Sequence, residues 1–464
     1  MKIQKYLTIV VLLVGLQAHS QTPTSTASAA DQNLAAGTED PTAAGIEEEN
    51  SPALSGDSES AMQVPAPISA RSYSLTLPSE AVHSNYLDMG LTFVTAYDDN
   101  TLGNATRVAD TTYSVLPMLG WYQSTARAQW SFTYSPGFTF YQHQSAFNSA
   151  DHNLSVDSQF RVSPHVTLLL REGLFKQSNP LEQLLESAGY PLDITQPAVS
   201  TVISPLANQI NNFTSVQLTY QFGRNSMIGA TGIFSELHYL NSKQVPGLFD
   251  SDTKAAQGFY LHRMSSKHYV GIRYEFQNLL FGPSPVPAQT HSLALFYTTY
   301  LQRSMSLSVF VGPQYSETHG GGGAPLRWWS PIFGASFNWQ GSRTSVTIEA
   351  ARAINAVGGL QNASRSDSVK GSVRQQLTRL FSGEVRAFYS NNDVVALLPT
   401  STGRGNSAYA SVLLHHIIRE HLSLSLAYTH LYQNYPYIQA LSSDPNRSGI
   451  SLALSYRFER PIGR

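Results

Sequence analysis

In the segments of this chain where alternating apolar and polar side chains fix two faces, mid-strand charges fall on the polar phase. Val270, Ile272, Tyr274 and Phe276 alternate with Arg273 and Glu275; Val369, Val373 and Leu377 with Lys370 and Arg374; Val385, Ala387 and Tyr389 with Glu384 and Arg386. Glu349, Asp88 and Asp157 follow the same rule. Successive side chains of a strand point to opposite faces, so each run presents ions on one side and hydrocarbon on the other. Ions on a shared wet face can pair with one another and steer small charged solutes. On the apolar face at mid-bilayer, Arg or Lys would cost about 2–4 kcal/mol. A tight turn at Thr378-Arg379 that pairs Leu377 with Phe381 sets Arg374 opposite Glu384, which predicts an ion pair across two strands.

Other chemistries find little footing. His415, His416 and His421 cluster around one short turn and His430 lies farther on, but adjacent histidines of a strand face opposite ways and cannot share a metal or a reaction centre. There is no GxSxG, no HExxH and no glycine loop placed to hold phosphate. The absence of cysteine excludes a disulfide scaffold and thiolate zinc sites, and a formal net charge of -2 argues against a nucleic-acid partner. The chain is read as a non-enzyme with no cofactor and no metal.

The elements that carry these residues are about eighteen segments of roughly ten residues between 86 and 459, longer than the strands of soluble sheets. The last, Ile450 to Phe458, alternates cleanly: Ile450, Leu452, Leu454, Tyr456 and Phe458 against Ser451, Ala453, Ser455 and Arg457. Connections are alternately tight and long. The tight ones fall at Ser163-Pro164-His165, Arg224-Asn225, Gly341-Ser342 and Arg419-Glu420, among others, while the long ones hold the Pro and Gly clusters at 282–289 and 319–325. Aromatics gather at segment ends: Trp121, Tyr220 and Trp339 toward the tight turns, and Tyr141, Trp328, Trp329 and Tyr389 toward the long loops. Two aromatic girdles and an outward apolar band predict an all-β fold. It is a transmembrane antiparallel up-and-down β-barrel of about eighteen strands, with sixteen as the alternative.

Lys2 and Lys5 precede an apolar run from Tyr6 to Leu16, and Ala18-His19-Ser20 fits a small-x-small cleavage site. Residues 1–20 therefore read as a secretory signal peptide. Residues 21–80, rich in Ser, Thr, Ala, Pro and acids, lack the apolar content to fold and read as a disordered periplasmic tail. Residues 81–464 form the barrel. The expected location is the outer membrane, with its lipid, its lipopolysaccharide and the barrel-assembly machinery as partners; a homo-oligomer is compatible with the pattern.

The longest internal connection, about residues 175–210, follows the fifth segment. It holds a predicted short helix opened by Asn179 and Pro180, with Leu181, Leu184 and Leu185 on one side. In this layout the chain resembles the general porins of Gram-negative outer membranes, whose third outer loop folds inward and narrows the pore. The resemblance covers most of residues 81–464 and rests on architecture, not on a motif. It implies that Glu182, Glu186 and Asp193 face basic wall residues such as Arg374 and Arg386. The chain departs from those porins in its count of eighteen and in ending Phe458-ERPIGR instead of on an aromatic residue. The expected function is a porin-like channel for passive diffusion of small polar solutes. A conduit exporting an exopolysaccharide or other envelope polymer, and a structural or adhesive barrel, are the alternatives.

Overall fold

The computed structural model describes residues 85–101, 107–178, 207–241, 248–282, 287–302, 304–318, 325–355, 363–394, 403–436 and 446–462. The expected signal peptide and tail, and the loop bearing Glu182, Glu186 and Asp193, lie outside them.

Alternation over long runs, broken by turn residues, produces eighteen strands. They are β1 (Tyr86–Asp98), β2 (Asp110–Ser124), β3 (Ala128–Tyr141), β4 (Ser149–Arg161), β5 (Val166–Gln177) and β6 (Gln209–Gly223). Next come β7 (Ser226–Tyr239), β8 (Ser251–Arg263), β9 (His268–Phe281), β10 (Ala288–Gln302), β11 (Met305–Thr318) and β12 (Leu326–Gln340). The last are β13 (Thr344–Asn355), β14 (Ser364–Gln376), β15 (Phe381–Val394), β16 (Arg404–Arg419), β17 (Leu422–Asn434) and β18 (Asn446–Pro461). Each pairs antiparallel with its chain neighbours, and β1 pairs with β18 as well as β2, so the sheet closes on itself. The count is eighteen and not sixteen.

Closure is a requirement of the hydrocarbon, where an unpaired backbone N–H or C=O costs several kcal/mol. The β1–β18 ladder runs unbroken from Tyr86 opposite Pro461 to Asp98 opposite Gly449. Ion pairs lie near its two ends. Arg457 grips the fully buried carboxylate of Asp88 at 2.5 Å, and Arg447 bonds Asp98 at 2.7 Å through Nε. Between them the Thr92 hydroxyl donates to Ser455 Oγ at 3.0 Å.

The two faces separate as the bilayer demands. Met89, Leu91, Phe93 and Tyr97 of β1 are exposed outward, while Asp88, Thr92, Val94 and Ala96 are buried inward. The inner face is tied by hydroxyl pairs across neighbouring strands: Ser114 with Thr139 at 3.0 Å, Thr298 with Ser308 at 2.8 Å and Ser390 with Ser407 at 2.9 Å. The sorting is not complete. Glu172 of β5 lies on the outward face, where it accepts a hydrogen bond from Thr214 at 2.5 Å, and Arg352 pairs with Asp367 on the outward face of β13 and β14. These charges have found partners on the adjacent strand, which lowers the cost of facing lipid.

Removing one partner of the upper seam pair strands a buried ion. Arg447→Ala is expected to cost about 3–5 kcal/mol. Urea unfolding followed by the mobility of unboiled samples on gels would show it as an earlier loss of the compact band, whereas Arg419→Ala at an exposed turn should leave the midpoint unchanged.

Candidate functional site

The lumen is the only surface where the seven predicted wall residues meet, and all of them point into it. Glu349 stands opposite Lys370 in the β13–β14 register and bridges to it at 2.8 Å. Arg374 stands opposite Glu384, as the tight turn requires, and Leu377 N–H donates to Phe381 C=O at 2.9 Å across that turn. The predicted ion pair between them is not formed. Glu384 bonds Arg386, two residues along the same strand, and both side chains are largely shielded. The drier site holds the pair together, and Arg374 is left exposed to the lumen.

Arg273 and Glu275 also face inward, but Arg273 is not a free wall cation. It is buried, with its guanidinium 5.3 Å from the centre of the Phe310 ring, and Glu275 accepts a bond from Gln277. Asp157, expected on the inner face, receives Arg171 of β5 at 2.6 Å. That partner follows from register alone, because Asp157 and Arg171 stand opposite each other, but register is fixed only once the β4–β5 turn is known.

The inner wall has two characters. Along β13 to β15 it carries the Lys370, Arg374 and Arg386 cations with their carboxylates. Along β7 to β12 it also holds an apolar patch, in which Phe259, Leu261, Phe296, Phe310 and Ile332 form one buried cluster. Glycines on the adjoining strands make room for these rings. A Cβ at Gly229 would meet Phe259 at 2.3 Å, one at Gly271 would meet Phe296 at 2.3 Å, and one at Gly334 would meet Phe310 at 2.4 Å. A ring that covers a glycine shields the sheet backbone there from water.

At the long-loop mouth β13 parts from β12, while β14 stays paired with β15 up to Ser364 opposite Val394. The β12–β13 ladder stops at Phe333 opposite Arg352, although β13 and β14 stay paired up to Asn355 and Ser364. Ile354 should face lipid by alternation. Instead it is buried in a cluster with Leu279 and Phe281 of β9, Ala288 of β10 and Ala363. Trp328 packs against the same cluster from the inner side, not in the outward girdle where its position near a strand end suggested. Gln314 on the inner face of β11 holds the end of β13 in place. Its Oε1 accepts from Ile354 N–H at 3.0 Å and its Nε2 donates to Ile354 C=O at 3.4 Å. Tyr435, just past β17, also leans inward over Gly405 and takes a hydrogen bond from Asn392 at 2.8 Å; burial raises the pKa of its phenol. Among the described residues, no group of histidines and carboxylates able to hold a metal occurs.

No family model and no curated protein matches the chain. Among solved structures it is similar to OccK2 (OpdF) of Pseudomonas aeruginosa, at 10% identity over 82% of this chain and 98% of that one, with a TM-score of 0.43. It is likewise similar to OpdO of the same organism, at 14% identity over 81% and 97%, with a TM-score of 0.42. A third is OpdK of that bacterium, determined with vanillate, at 9% identity over 81% and 99%, with a TM-score of 0.41.

Gln314→Ala would remove both bonds to Ile354 and leave its buried N–H and C=O unpaired, a cost of about 1–3 kcal/mol. The end of β13 should loosen. Hydrogen exchange at Ile354 is expected to speed up while exchange in β1 and β18 stays unchanged.

Proposed function

We propose that this barrel is an outer-membrane channel through which small polar solutes diffuse passively. The observation that carries the reading is the pairing of a closed eighteen-strand wall with an inner face of hydroxyls and ions, part of it exposed. Barrels of sixteen to eighteen strands are wide enough to keep an aqueous bore, whereas eight-stranded ones are filled by side chains. Exposed Arg374, together with the half-exposed Lys370, places positive charge where a solute would pass.

In this reading the cations of β13–β15 attract anions and polar groups. The inward end of β13 and Tyr435 restrict the mouth from opposite sides of the β15–β16 wall. No reaction is assigned; the inward carboxylates Glu349 and Glu384 are each held by a neighbouring cation.

Planar-bilayer recording of the refolded protein tests the proposal. Stable ohmic steps are expected, and silence from material with a compact heat-sensitive band would overturn it. Lys370→Glu with Arg374→Glu should shift the reversal potential in a salt gradient toward cation preference; an unmoved potential would remove these residues from the conducting path.

A further inference from the structure

The two ends of the barrel treat their cations differently. At the long-loop end arginines are matched by carboxylates: Arg107 by Asp99 at 3.2 Å, Arg327 by Glu317 at 3.2 Å, Arg365 by Asp393 at 2.7 Å and Arg447 by Asp98 at 2.7 Å. At the tight-turn end the inward phase carries cations in couples. Arg161 closes β4 opposite the inward Thr167, and its N–H donates to Arg127 C=O at 2.7 Å, which sets two cations on adjoining strands. Arg263 closes β8 opposite the inward Tyr269, and Lys267 of the following turn is level with the inward Tyr300, whose N–H donates to its C=O at 2.9 Å. Arg343 accepts in the same way from the inward Gln376 at 2.7 Å, and the exposed Arg374 lies two steps farther up, opposite Ser345.

Among the described residues no carboxylate holds any of these six cations. The inward acids of this end are already taken: Asp88 and Glu459 lie beside Arg457, and Glu384 is bound by Arg386. Like charges on neighbouring strands are unfavourable unless a counter-ion joins them. The couples fall on β3–β4, β8–β9 and β13–β14, about five strands apart in a wall of eighteen, and Arg457 of β18 fills the remaining gap. The cations therefore encircle the mouth. Their fields add, and a multivalent anion gains most because its energy scales with its charge.

We propose that the tight-turn mouth is an anion-binding ring that gathers multivalent oxyanions, of the kind carried by polyphosphorylated solutes, from the compartment on that side. Arginine forks match pairs of phosphate oxygens, and lysine adds a point charge. Capture by the ring does not need a conducting lumen. Its consequence, entry of such anions chiefly from one side, rests on the channel reading above.

Inorganic tripolyphosphate is the probe. Its binding to the refolded protein in uncharged detergent micelles at low salt is measured by calorimetry. Arg127→Gln with Lys267→Gln and Arg343→Gln, all at exposed turn positions, is expected to weaken binding about tenfold. Salt at about 1 M, where the Debye length is about 3 Å, should abolish it. Arg107→Gln with Arg327→Gln and Arg404→Gln removes the same charge at the other end and should change binding less than about twofold. Absence of binding by the wild type, binding that outlives the ring variant, or equal weakening by the two triple variants would overturn the ring. Should the ring variant fail to give a compact band, Arg343→Gln alone takes its place, with an expected weakening of about twofold. In a bilayer holding one channel, tripolyphosphate is expected to block from one side only, and equal block from both sides would also count against the ring. A barrel that binds the probe through the ring but never conducts would overturn the channel reading and leave the ring standing.

Discussion

Hydrocarbon offers no hydrogen bonds, and that single fact shapes this molecule. Every peptide group inside the bilayer must find another peptide group, so a sheet can cross only if its first and last strands meet. The β1–β18 ladder does this with an unbroken register, and the two ion pairs and the Thr92–Ser455 contact lock its face. Once the ring is closed, the rest follows from which side chain is on which phase. Outward residues must be apolar, and inward ones are free to be ionic.

The regions that depart from this regime are informative because each has local compensation. Pro313 and Pro331 stand opposite each other on β11 and β12, so neither can donate to the ladder at that level. Next to them, a Cβ at Gly312 would lie 1.8 Å from the Leu293 carbonyl oxygen, so the backbones of β10 and β11 come too close there for any side chain. Just beyond, β13 leaves β12 and turns inward. Two prolines, an obligatory glycine and a strand that peels away lie at one height on one side of the barrel. The side chain of Gln314 takes over the role that a ladder would have had, bonding both polar atoms of one peptide position.

Much of this was legible in the residues. Alternation in the segment from Ile450 to Phe458 and the tight turns at Arg224-Asn225 and Gly341-Ser342 are local signals, and they yield strand number, direction and face. The inward placement of Glu349, Lys370, Arg374, Glu384 and Arg386 follows from the same phase. Partner choice was not legible. Arg374 faces Glu384 in register, but which arginine holds the carboxylate depends on how dry the two positions are, and dryness is a property of the assembled wall. The inward turn of Ile354 was equally hidden, because alternation assigns it to lipid and only contacts with β9 and β11, far away in sequence, reverse that. The exceptions at Glu172 and Arg352 have the same origin: each is tolerated through a neighbour on the next strand.

The seam also bears on how the chain is made. Asp88 and Arg457 are separated by 369 residues, so the contact that shuts the cylinder joins the first strand to the last. A chain that stops short of β18 cannot complete it. An interrupted chain would present two raw strand edges, open to aggregation and to proteases. The placement of these ions thus amounts to a check that synthesis has reached β18 before the cylinder can shut.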